Sequence, residues 1–155
     1  RMQGIAKPGL MADGIVHFSE IPFDHLNEYD AQRFGFARAT FTRAWVHMPE
    51  STTFAYLKED FLQGYGVIRK CREGYKIGPL FADHAEAAEA LFQALCSQVV
   101  GKPINLDVPE NNAAAMGLAE RHGMSEVFGC ARMYYGEAPH IDWNKVFGIT
   151  TFELG

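Results

Sequence analysis

The stretch Asn105-Leu-Asp-Val-Pro-Glu-Asn-Asn-Ala-Ala-Ala-Met-Gly-Leu-Ala-Glu-Arg-His-Gly-Met124 predicts a strand, a sharp break, a capped helix and a glycine stop. Side chains alternate across a strand, so Ile104, Leu106 and Val108 share one face while Asn105 and Asp107 share the other. Pro109 lacks the N–H that a sheet ladder needs and ends the strand. Asn111 or Asn112 can cap the helix that follows by accepting from its first N–H groups, and Gly123 supplies the left-handed residue that stops it. A helix N-terminus therefore opens beside a strand end, which is where a ligand is expected.

Outward from this unit, Asp83 to Gln98 carries Ala87, Ala88, Leu91, Phe92 and Leu95 on one helical face, with Asp83 as N-cap and Glu86 three residues on in capping-box spacing. Before it, Tyr75 to Leu80 predicts a strand, and Thr52 to Leu57 with Gly64 to Arg69 predicts a hairpin rich in β-branched and aromatic residues. Phe23, Leu26, Tyr29 and Phe34 mark a first helix. Phe41, Ala44, Trp45 and Met48 mark a second, which stops at Pro49. Ile15 to Ser19 alternates as a first strand. At the far end, Glu126 to Phe128 and Ala131 to Tyr135 predict two closing strands. The order is β-α-α-β-β-β-α-β-α-β-β, without internal repeat or low-complexity segment. Residues 1–13 are expected to be a Gly/Pro-containing linker.

A chain of 155 residues with 48% hydrophobic content suits one domain with one core. The net charge of −5 argues against a general nucleic-acid or anionic-membrane surface, and the apolar runs are short of a membrane span. A cytoplasmic location is the expectation. Cys71, Cys96 and Cys130 are odd in number and have no Cys-x-x-Cys pairing, so reduced thiols are expected. The six histidines lack the spacing of a zinc site, and no metal is implied.

The element order, with Asn112, Ala115 and Gly123-Met124 on their spacing, resembles the GNAT superfamily of acetyl-CoA-dependent N-acyltransferases over residues 15–136. The resemblance implies an α/β (α+β) fold with a mixed central sheet, helices on both faces, a single domain over residues 14–155 and a C-terminal tail from about 137. It also implies acetyl-CoA as cofactor, a small-molecule amine as acceptor, and a homodimer as one form of assembly. In that family the cofactor enters where two central strands splay apart and pairs with the edge of the first. Here that edge is Ile77, Gly78, Pro79, Leu80, Phe81 and Ala82, with Ala88 and Asn112 nearby.

This sequence departs from the family pattern in two places. The Gln/Arg-x-x-Gly-x-Gly/Ala loop that cradles pyrophosphate falls on Asp83-His84-Ala85-Glu86-Ala87-Ala88, where only the last small residue is kept. Asp83 and Glu86 set negative charge where phosphates would dock and are expected to weaken binding; they serve equally as helix caps. The tyrosine that often protonates the leaving thiolate is replaced by Ala119, leaving Tyr134, or its neighbour Tyr135, as a substitute if it faces inward. Asp107, on the polar face near the splay, is the candidate proton acceptor, with a loop-ordering role as its alternative. Gly64 to Ala82 and Phe147 to Gly155 look like the C-terminal domain of two-domain GNAT proteins. An upstream GNAT domain is therefore the other expected partner, with this domain then a silent accessory.

Overall fold

The computed structural model describes residues 1–154. Gly155, the last residue of the expected tail, lies outside the described residues. In chain order the strands are β1 (Met2–Ile5), β2 (Ile15–His17), β3 (Ser51–Lys58), β4 (Phe61–Lys70), β5 (Tyr75–Ala82), β6 (Pro103–Leu106), β7 (Ser125–Glu126) and β8 (Val146–Gly148). The helices are α1 (Phe23–Phe34), α2 (Ala39–Val46), α3 (Ala85–Ser97) and α4 (Ala113–Arg121). The sheet runs β2-β3-β4-β5-β6-β1-β7, with β8 attached to β5 outside this path. Among the described residues only β5 and β6 are parallel neighbours. Their connection is α3, as a parallel crossover requires.

Alternation along β4 divides the core. Tyr65 and Val67 join Leu26 and Tyr29 of α1, Val46 of α2, and Phe81 and Val146 on one side. Ile68 joins Leu91, Phe92 and Leu95 of α3 and Leu118 of α4 on the other. Each helix earns its place by a stripe at helical spacing: Leu26, Tyr29, Asp30 and Arg33 on α1, and Ala87, Ala88, Leu91, Phe92 and Leu95 on α3. The fold is thus the mixed sheet with helices on both faces that the resemblance implies. All three cysteines are free, and burial pushes the Cys96 thiol up to about 12.

Four local expectations are corrected. Residues 1–13 do not begin as a linker, because Met2–Ile5 forms β1 between β6 and β7, with Met2 buried in the core. A four-residue strand containing Gly4 has too little alternation to be recognised from sequence. The closing hairpin does not form. Only Ser125–Glu126 is strand and residues 127–135 carry no regular structure; the place between β6 and β7 is taken by β1, and the outer edge of β7 stays unpaired among the described residues. The tail from about 137 instead contributes a short 3-10 turn, Trp143–Lys145, and then β8. Finally, α3 is capped by His84 rather than Asp83: Nδ1 of His84 accepts from the Ala87 N–H at 3.2 Å.

Candidate functional site

β5 and β6 run together only at Tyr75, Lys76 and Ile77, opposite Ile104, Asn105 and Leu106. Beyond Ile77 they part, and the C-terminal segment fills the opening. Leu80 pairs with Gly148 and Phe81 with Val146 in antiparallel register. The Ile149 N–H donates to the Asp107 carbonyl at 3.0 Å, tying the segment to the end of β6 as well. At Gly78 the segment comes so close that a Cβ would stand 2.6 Å from both the Ile149 and Thr150 carbonyl oxygens. Glycine is needed here for contact with backbone, not for turn geometry.

Asn112 holds this closure. Its Oδ1 accepts from the Ala115 N–H at 3.0 Å, so that of the two asparagines the sequence offers as cap, Asn111 and Asn112, it is Asn112 that caps α4. Its Nδ2 donates to the carbonyls of Trp143 (3.0 Å), Asn144 (3.2 Å) and Val146 (3.0 Å). One buried amide therefore starts a helix with one end and grips the C-terminal segment with the other. Val146 and Phe147 are buried on opposite faces of the sheet, 2% and 1% exposed. Farther along, Arg38 donates to Thr150 Oγ1 at 3.1 Å while pairing with the buried Asp30. The space between Phe34, Phe81, Trp143, Val146 and Ile149 is about 10 Å³, room for about one water at most.

The residues expected to form the cofactor edge thus lie together, but under the chain's own strand. Ile77, Leu80, Phe81 and Ala82 are buried, and Ala88 is packed into the α3 side of the core. Gly78 and Pro79 are buried with them. At the start of α3, Asp83 turns away from the helix. Its carboxylate pairs with Arg33, accepts from Tyr29 Oη at 3.3 Å and lies 3.4 Å from Lys145 Nζ. Glu86 points to solvent, with its side chain 89% exposed. The Ala87 N–H that an anion would need is held by His84, whose Nε2 lies 2.8 Å from Gln63 Oε1.

Asp107 is fully buried and doubly paired. Arg1 donates through Nε at 2.8 Å and through Nη2 at 3.2 Å, and Lys76, itself 5% exposed, forms the second ion pair. Phe152 covers the cluster, with the Arg1 guanidinium 4.9 Å and the Lys76 ammonium 5.5 Å from its ring centre. Burial pushes the Asp107 carboxyl up, but the hydrogen bonds and charges of Arg1 and Lys76 outweigh it and hold the group below the usual range. Such a carboxylate stays ionised and is a weak base at neutral pH. Tyr134 is not brought to it. It stands on the exposed run after β7, 41% exposed, with the Arg132 guanidinium 5.5 Å from its ring.

Sequence reading missed Arg1, Lys76 and Phe152 around Asp107, and the network of Asp30, Arg38, Tyr65 and Thr150. In the second network Arg38 lies 8 positions from Asp30, but Tyr65 lies 35 from Asp30 and Thr150 lies 112 from Arg38. No local pattern could have joined them. Among the described residues no three His, Cys, Asp or Glu side chains gather as a metal site, and no helix is long and apolar enough to cross a membrane.

A sheet whose parallel strands part beside a helix N-terminus, with helices on both faces, defines the acyl-CoA N-acyltransferase class of fold. Residues 26–148 match the family model described as an acetyltransferase (GNAT) domain, and the chain belongs to that family. It is similar to the holothin acyltransferase of Pseudoalteromonas sp. (strain SANK 73390), 26% identical over 144 residues that cover 92% of this chain and 49% of that protein. In structure it is similar to a putative acetyltransferase from Pyrococcus horikoshii, with a TM-score of 0.78 and 24% identity over 99% of this chain and 51% of that one. A GCN5-related N-acetyltransferase from Sphaerobacter thermophilus shares the fold at a TM-score of 0.51 and 18% identity, covering 80% of this chain and 46% of that one. The chain therefore spans about half the length of these relatives.

Proposed function

We propose that this chain is an accessory GNAT domain of an acyltransferase: its own acyl-CoA cleft is closed by its C-terminal strand, and transfer to the amine is carried by another domain. The observation that supports this reading is the pairing of β8 with Leu80 and Phe81, on the edge that the pantetheine arm of acetyl-CoA would use. A cofactor at that edge must first lift β8. Exposing Val146 and Phe147 alone would cost about 3–6 kcal/mol, at about 1.5–3 kcal/mol for each side chain. That cost weakens a ligand by about 100- to 10,000-fold, enough to remove a micromolar site.

The remaining groups agree in direction. Asp107 is held ionised between two cations, Ala119 stands where a proton donor is expected, and the first free N–H groups of α3 are partly taken by His84. The holothin acyltransferase, with about twice this chain's matched length, suggests acyl transfer as the activity that the domain serves. Isothermal titration of the chain with acetyl-CoA tests the reading. It predicts no saturable heat. A micromolar site would overturn it.

A further inference from the structure

Ala131-Arg-Met-Tyr-Tyr135 has the composition of a strand, yet it pairs with nothing among the described residues. Met133 is 86% exposed, Tyr134 41% and Tyr135 fully, and just before them Val127 and Phe128 are more than half exposed. A concentration of apolar and aromatic surface in one run marks an interaction site. A strand that follows another after a short turn normally returns antiparallel beside it. Beside β7 the inner position is occupied, because Met2 lies opposite Glu126 and Gln3 opposite Ser125, with β1 pairing β6 on its other side. The sheet is thus completed by a strand from the N-terminal end of the chain, and the strand expected to complete it is displaced.

The same displacement in a neighbour of the same fold would leave a matching slot. A domain that gives its last strand away keeps a one-strand gap between its counterparts of β6 and β7. We infer that Ala131–Tyr135 is a donated strand that fills such a gap in a second GNAT-fold domain, preceding Arg1 in the same polypeptide and ending in Met2–Ile5, so that the two domains exchange one strand each. The length supports this partner, since the chain covers 49% and 51% of two relatives and leaves room for a second unit of its own size. The chemistry fits the slot. Alternation puts Ala131, Met133 and Tyr135 on one face and Arg132 and Tyr134 on the other, so a sheet interior would receive the exposed Met133 and Tyr135. This inference rests on strand pairing alone and does not depend on whether the cleft beside β5 binds acyl-CoA.

Amide hydrogen exchange on the polypeptide expressed from its complete reading frame tests the exchange. A strand inside a slot is bonded on both sides, so consecutive amides from Arg132 to Tyr135 should each be slowed by at least about 100-fold. Met133→Pro removes an N–H and should abolish that protection and loosen the flanking strands of the partner domain. Amides of β3, β4 and β5 report that this domain remains folded, since the segment makes no sheet contact with them. Fast exchange through 131–135 in the parent polypeptide would overturn the inference. So would a reading frame without a GNAT domain before Arg1, or protection that appears only as this chain self-associates, which assigns the strand to a second copy.

Discussion

Substitution of Asn112 separates the two tasks assigned to one side chain. In Asn112→Ala the α4 cap is lost, which costs about 1 kcal/mol. The two amide hydrogens shared among the Trp143, Asn144 and Val146 carbonyls also go, at about 1 kcal/mol each, with a further penalty for carbonyls left buried and unpaired. The expected total is about 3–4 kcal/mol. Asn112→Asp keeps an oxygen at the cap position and adds a charge that the helix N-terminus favours, but it turns a carboxylate toward three carbonyl oxygens. It should lose about 2–3 kcal/mol, nearly all from the C-terminal segment. Urea unfolding measures both totals, and amide exchange at Val146 to Gly148 locates them. If Asn112→Asp matches the parent in midpoint and in exchange at those amides, Asn112 does not hold β8 and the closure needs another cause.

Gly78→Ala places a methyl 2.6 Å from two backbone carbonyls of the C-terminal segment, so thermal unfolding should show a loss of about 1–3 kcal/mol; an unchanged transition would mean that the segment is not seated against β5. Asp107→Asn leaves Lys76 buried without its counter-charge, with an expected loss at pH 7 of about 3–5 kcal/mol by urea unfolding. The Asp107 pKa is depressed in the folded state, so its contribution is fully present above the ordinary value of 3.8 and is lost as the pH falls through the lower folded value. The Asn variant should therefore show a flatter decline of stability below that pH than the parent. Equal slopes would remove Asp107 from the acid response.

Most elements were legible because they announce themselves locally. The stripe of Leu91, Phe92 and Leu95 gives α3, Pro109 and Asn112 give the β6-to-α4 break and its cap, and Gly123, with φ of 69°, stops α4. What escaped was pairing at a distance. Met2–Ile5 is too short to alternate visibly, and Val146–Gly148 has no sequence mark that says it will sit on β5 rather than in a tail. The candidate site suffered for the same reason. Asp107 is legible as a polar residue at the end of β6, but its chemistry is decided by Arg1, 106 positions away, and by Lys76 on the neighbouring strand. Asp83 looked like a cap because caps are local, and it is Arg33 on α1 that draws it elsewhere.

The central claim, that β8 closes the acyl-CoA edge of β5, is tested most directly by backbone amide shifts of Tyr75–Ala82 and Val146–Gly148 during titration with a large excess of acetyl-CoA. Occupation of the edge by the chain itself predicts no saturable change in either set. Saturable shifts in Leu80 and Phe81, accompanied by loss of protection at Val146 to Gly148, would mean that the cofactor displaces the strand and would contradict the account.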